Sequence, residues 1–285
     1  SAYLKYLSDS CIPDAGKFFK KKGYFKVESE TVKSVRASLG ITSDKFRNPL
    51  TFLMEAADDT AYCVSDIEDG IEKGIIRWED VLSFVSNDLR NETEAVNIWN
   101  GFVEKANSVK YEKSRFIDLK IRVIGACTDF VADEYIKLHD KIMDGKLDTP
   151  LYNKSSSEAK ILDSLTRFAR SKLFMSKQAC DLELCSYNII RGLLDHFKPL
   201  LFVQAREFDS IIDDTDSGYQ LEKRLALLLP KKHILAYKHD RNKFGPDVEP
   251  FLRAHLLVDY ISGMTDNHAL HVFQLLSGIS TKVRA

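Results

Sequence analysis

Apolar residues in this chain recur at spacings of three and four rather than two, and that helical period restricts its fold more than any other feature. Only seven prolines interrupt 285 residues. The pattern predicts an all-α, multi-helix protein. Helices are expected over roughly 28–39, 49–70, 78–90, 92–108, 114–143, 157–175, 178–208, 218–238, 248–262 and 265–276. Pro49 with Thr51 suits a helix start, Gly70 a first break, and Ser157 a cap after the loop-like run LDTPLYNKSSS. A second loop is expected over Lys238–Pro250. Gly263 should end one helix and Thr265 or Asp266 cap the next.

Within this pattern the segment Asn48–Gly70, NPLTFLMEAADDTAYCVSDIEDG, concentrates charge. Glu55, Asp58, Tyr62, Asp66 and Asp69 lie three or four residues apart and share one helical stripe. Leu53, Ala57, Ala61 and Val64 offer an apolar face beside it. Six acids fall between Glu55 and Asp69, with no Lys or Arg from Asn48 to Glu72. A partly buried acidic stripe is costly unless a cation, a metal or hydrogen-bond donors neutralise it. A metal or a ligand is therefore expected on it.

The same residues carry a resemblance. PLTFLMEAADDTAYCVSDIEDG resembles the second metal-binding motif of the bacterial dGTP triphosphohydrolases, of the HD phosphohydrolase superfamily. Asp259–Leu270, DYISGMTDNHAL, is similar to a motif near that family's C-terminus, although His268 stands where the family has tyrosine. Leu4-Lys5-Tyr6 resembles a lysine–tyrosine pair that follows the family's HD dipeptide, with Leu7 where a small turn residue or proline is expected. The resemblance implies an HD-domain-like helical bundle. Residues 1–110 would be the C-terminal part of the phosphohydrolase core and 111–285 a helical C-terminal region, together one continuous domain.

It also implies roles. Asp58 would be the last ligand of a divalent metal, Mg or Mn, and Asp59 would point about 100° away. Tyr62 and Asp66 would hold the deoxynucleotide sugar; the competing reading is a tyrosine packed in the core and an aspartate bonded to a neighbouring helix. Lys5 would contact phosphate, Tyr6 would lie beside the nucleotide, and Glu183 would be near the pocket or on a solvated helix face. The activity implied is metal-dependent hydrolysis of a deoxynucleoside triphosphate, mainly dGTP, to deoxynucleoside and tripolyphosphate, by a homo-oligomer.

Most of that metal's ligands are not found in this sequence. His139-Asp140 and His239-Asp240 lie downstream of Asp58, whereas the resembling family places its HD dipeptide upstream. The other histidines form no H-x-x-x-H pair, and His268 with His271 lacks a placed carboxylate. The chain reads as starting just after a missing HD motif, through truncation or proteolysis, with Ser1-Ala2 as a vector remnant. By itself it is expected to be inactive.

The alternative is a non-catalytic helical module for single-stranded nucleic acid or a partner subunit. Nine basic residues fall between Lys17 and Arg47, interleaved with Phe18, Phe19, Tyr24 and Phe25. A solvated arm with docked aromatics explains the same residues. The net charge of −1 argues against bulk electrostatic binding to nucleic acid or membrane. No apolar run approaches the ~20 residues that cross a bilayer. Five cysteines without a C-x-x-C pair read as reduced thiols of a cytoplasmic protein.

Overall fold

The computed structural model describes residues 4–9, 22–41, 46–152, 155–215 and 218–279. Two compact units divide the chain, Ser1–Ala179 and Cys180–Ala285. The architecture is all-α, as the period predicts. A single short parallel pairing departs from it among the described residues, between β1 (Ser8–Asp9) and β2 (Lys22–Tyr24).

The first unit contains α1 (Ser29–Ser38), α2 (Pro49–Glu72), α3 (Trp78–Asp88), α4 (Thr93–Asn107), α5 (Glu112–Lys137), α6 (His139–Met143) and α7 (Ser157–Phe168). A π turn over Ala169–Leu173 follows α7. The core of this unit forms where α2, α3, α4, α5 and α7 meet. Val64, Ile67, Val81, Trp99, Leu119 and Phe168 are buried there almost completely. Trp78 packs edge-on against Phe116, and the Trp99 indole donates to Ser86 Oγ at 3.2 Å.

Helix α2 positions the site, and its local chemistry explains its course. Asn48 caps it by accepting from the Leu50 amide at 3.0 Å, and Pro49 takes the first turn, where its missing N–H costs nothing. Its buried face runs through Phe52, Ala56, Thr60, Cys63, Val64 and Ile67. The expected apolar face is thus rotated, since Ala57 and Ala61 are exposed. The larger side chains choose the face, and Thr60 joins them by donating back to the Ala56 carbonyl at 2.8 Å. Nor does Gly70 break the helix. It is buried in the last turn, where a Cβ would come within 2.8 Å of Leu173 and 2.9 Å of Ile76; the chain turns at Gly74, at φ +67.

The second unit takes most of α8 (Lys177–Phe197), then α9 (Pro199–Phe202), α10 (Ala205–Ile212), α11 (Gln220–Ala226), α12 (Lys231–Phe244), α13 (Glu249–Ser262) and α14 (Asp266–Leu276). The helix expected over 178–208 is therefore three. Pro199 starts a new helix because it cannot donate to the preceding turn, and Val203 is extended. Pro230 likewise splits the helix expected over 218–238. The loop expected from Lys238 is helical as far as Phe244, because no breaker occurs before Gly245, at φ +86. His239-Asp240 thus sits on a helix. Ser156 rather than Ser157 caps α7, accepting from the Ala159 amide at 3.2 Å, and Thr265 caps α14. Phe197, Phe208, Leu225, Leu252, Leu256 and Val272 are core residues of this unit.

Candidate functional site

A cleft of about 780 Å³ opens in the first unit between α2, α7 and the π turn. That is the size class of pockets that enclose small ligands. Asp58, Asp59, Tyr62, Cys63 and Asp66 of α2 form one wall. Lys160, Asp163 and Thr166 of α7, with Arg170 and Phe174, form another, and Lys5 closes one end. In the π turn the Phe174 amide donates five residues back to the Ala169 carbonyl at 2.9 Å. The extra residue changes the phase of the helix beyond that turn, where Phe174 reaches the cleft; Arg170, four residues after Thr166, faces it by ordinary helical spacing.

The acids of α2 find their cations at both ends of the helix and in distant parts of the chain. Lys5 Nζ donates to Asp58 Oδ2 at 3.1 Å. Buried Arg47 donates to Glu55 at 2.9 Å and lies over the Phe52 ring. Lys120 of α5 holds Glu68, and Lys73 lies 3.7 Å from Asp69. Four of the six acids are neutralised in this way. Asp66 is not: the Tyr62 hydroxyl serves the carboxylate, but its Oδ2 is buried without any hydrogen-bond partner. Burial raises the Asp66 pKa above the ordinary 3.8; the bond from Tyr62 opposes this and the charge of Asp69 adds to it.

Lys5 is set by the close approach of two backbones. A Cβ at Gly23 would stand 1.9 Å from the Tyr6 carbonyl oxygen, so only glycine lets β2 lie against this segment. Burial lowers the Lys5 pKa, but the hydrogen bond to Asp58, with help from Tyr6 and Asp59, outweighs it and the net shift is upward. Gly23→Ala is expected to displace residues 4–9 and detach Lys5 from Asp58. Faster amide exchange confined to those residues, with the rest of the unit unchanged, is the measurement that checks it.

The cleft floor is a polar cluster absent from the sequence reading. Thr60 and the Tyr152 hydroxyl are hydrogen-bonded, and Tyr152 stacks on Phe130. Thr166 donates to Cys63 Sγ at 3.4 Å. Burial pushes the Cys63 thiol up to about 11, so it is a neutral packing group and not a nucleophile. Lys160, which also bonds Glu92, and Arg170 were likewise missed. Nothing in local sequence marks them, since they reach the cleft only through the packing of α7 on α2.

Four of the sequence-derived site residues come together: Lys5, Asp58, Tyr62 and Asp66. Tyr6 adjoins Lys5 but does not line the cleft, and Glu183 lies on α8 of the second unit. The aromatics Tyr24 and Phe25 do not line the cleft either, while Lys17 to Lys21 of the basic run, with Phe18 and Phe19, lie outside the described residues. Among the described residues no group of three His, Cys, Asp or Glu side chains could hold a metal ion. These described residues therefore form no complete shell for a divalent cation, and Asp58 is held by Lys5. No helix among them is long and apolar enough to cross a membrane.

The first unit thus holds a cleft of small-ligand size with carboxylates on one wall and cations at its edges. No family model matches the chain. Curated relatives do. It is 32% identical over 274 residues to a deoxyguanosinetriphosphate triphosphohydrolase of Yersinia pestis (strain Pestoides F), covering 90% of this chain and 54% of the relative. Proteins of the same name from Yersinia enterocolitica serotype O:8 / biotype 1B and Salmonella arizonae are 31% and 29% identical, over 90% and 94% of this chain and 54% and 56% of their own lengths. The resemblance to the dGTP triphosphohydrolase family is thus borne out over nine-tenths of the sequence. The chain spans about half the length of the curated relatives it matches.

Proposed function

We propose that these residues form the sugar-binding wall, and supply one metal ligand, of a hydrolase that splits deoxynucleoside triphosphates, dGTP foremost, into deoxynucleoside and tripolyphosphate. The observation that carries this reading is the unpartnered Oδ2 of Asp66, beside Tyr62 in a cleft edged by Lys5, Lys160 and Arg170. A buried carboxylate oxygen without a donor is a standing demand for one. In a deoxynucleoside triphosphate the only free sugar hydroxyl is the 3′-hydroxyl, and it is a donor of the right kind. The exposed ring of Tyr62 offers an apolar surface to the sugar, and the three cations face the triphosphate. The relatives' designation as deoxyguanosinetriphosphate triphosphohydrolases supports dGTP as the nucleotide.

Asp58 is the ligand these residues offer to magnesium or manganese. Among the described residues no group of three His, Cys, Asp or Glu surrounds it, so hydrolysis would draw its other ligands from outside them, and this chain alone is expected to be inactive. The test is tripolyphosphate release from dGTP with Mg²⁺ or Mn²⁺, on this chain and on Asp58→Ala, together with calorimetric titration of dGTP. Binding without turnover is the expected result. Turnover that Asp58→Ala abolishes would show a ligand set complete within these residues. Failure of dGTP to bind at all would remove the reading.

A further inference from the structure

Five large apolar side chains of the second unit stand in solvent on elements that adjoin one another. Leu201 and Phe202 close α9 at 40% and 74% exposure. Leu221 of α11, Leu227 just past its end and Leu235 of α12 are 58%, 77% and 66% exposed. α9 packs against α11, and a short turn through Pro230 leads α11 into α12.

Cations are interleaved with them. Lys198 lies over the Phe202 ring, 5.8 Å from its centre. At about 100° per residue, Leu221 and Leu227 fall about 60° to either side of Arg224. Lys231 and Lys232 likewise fall about 40° and 60° to either side of Leu235, one turn before it. Arg224, Lys231 and Lys232 are exposed. The acids Asp214, Asp213 and Asp209 take other cations, Lys223, Lys238 and Arg241, so these three have no acidic partner among the described residues. Over residues 198–206 and 220–236 the one acid is Glu222, and it is partly buried.

We propose that this face of α9, α11 and α12 is a peripheral docking surface for a bilayer of anionic lipid, with Leu227 seated below the headgroups. The headgroups take the unpaired cations, and the boundary of the acyl chains takes the leucine tips. A nucleic-acid strand would use the cations but leave the aliphatic tips in water, because bases stack on aromatic rings and Phe202 is the one ring among the five. The net charge of −1 does not oppose attachment, since charges farther than about a Debye length from the membrane are screened. The chain lies on the membrane, as no described helix is long and apolar enough to cross it. The proposal does not depend on the nucleotide reading of the cleft.

Flotation of the full chain with vesicles tests this. Binding is expected to vesicles of phosphatidylcholine with phosphatidylglycerol and not to phosphatidylcholine alone. Raising salt from about 0.1 M to about 1 M, which shortens the Debye length from ~10 to ~3 Å, should release the chain. Each cation removed should weaken binding about fivefold, so Lys231→Gln/Lys232→Gln should weaken it about 25-fold. Leu227→Ser/Leu235→Ser should weaken it about tenfold or more. The emission of Leu227→Trp should move to the blue on anionic vesicles, while Trp78 and Trp99, buried in the first unit, contribute no shift. No binding to anionic vesicles at low salt overturns the proposal, as does equal binding to neutral ones. So does binding indifferent to both pairs of substitutions, or an unshifted Leu227→Trp emission. A chain that ignores vesicles but dimerises through these leucines, or holds a single-stranded oligonucleotide on these cations, overturns it too. Far-ultraviolet circular dichroism of each variant separates loss of attachment from loss of fold.

Discussion

Arg253→Met should destabilise the second unit by about 3–5 kcal/mol, the cost of leaving one member of a buried ion pair without its partner. Arg253 and Glu249 are 3% and 1% exposed. They lie one turn apart on α13 and form two hydrogen bonds, at 2.8 and 2.6 Å. The same guanidinium donates to the Leu200 carbonyl at 3.1 Å and to the Val203 carbonyl, and it lies over the Phe208 ring. Those carbonyls belong to the end of α9, where the break at Pro199 and the extended Val203 leave them without helical donors. Tyr237 of α12 donates to Glu249 at 2.6 Å and completes the cluster. One arginine thus ties α9, α12 and α13 together.

Burial alone would raise the Glu249 pKa above its ordinary 4.5. The hydrogen bonds from Arg253 and Tyr237, with the charge of Arg253, outweigh it and hold the group below that value. A carboxyl depressed by folding stabilises the native state above its unfolded pKa, and that contribution is lost as pH falls through the folded value. Stability in this unit should therefore decline below pH 4.5, and Glu249→Gln should flatten the decline. Guanidinium denaturation of the full chain measures the loss, and amide exchange places it in α9, α12 and α13. Replacing both partners, as in Arg253→Met/Glu249→Leu, should recover part of it, because no uncompensated charge remains. An Arg253→Met chain as stable as the original would sink the assignment.

Asp66→Asn should cost about tenfold or more in affinity for dGTP while raising the melting temperature. A hydroxyl donating to a carboxylate is worth about 1.5–3 kcal/mol, and its neutral counterpart roughly half. Dideoxy-GTP lacks the donor, so the natural chain should discriminate against it and Asp66→Asn should not. The gain in stability follows from the raised pKa. A carboxyl lifted by burial burdens the folded state when ionised, above the raised value, and not below the ordinary 3.8. The difference in melting temperature between the two chains should accordingly shrink as pH falls toward that value. Equal affinity of the natural chain for dGTP and dideoxy-GTP would disprove the hydroxyl contact.

Much of this site was legible in residue order. The three-and-four spacing from Glu55 to Asp69 placed Tyr62 and Asp66 on the same stripe as Asp58, and all three line the cleft. The absence of Lys or Arg along α2 showed that the stripe needed outside neutralisation. It did not show the source. Lys5, Arg47 and Lys120 reach α2 from 53, 8 and 52 residues away. Glu183 illustrates the limit from the other side: residue type matched the resemblance, but its place on an outward face of α8 depends on how the second unit packs.

By itself the sequence determined the helical class, because the period of the apolar residues and the scarcity of proline act locally along the backbone. It also determined which α2 residues share a stripe, since 3.6 residues per turn requires it. The tertiary structure alone decided which face of α2 is buried, because exposed Ala57 and Ala61 cost little and Phe52 and Ile67 cost much. It alone decided which acid is left in need of a donor. Ion pairs form between groups that folding brings within a few ångströms, and neither period nor composition contains that distance.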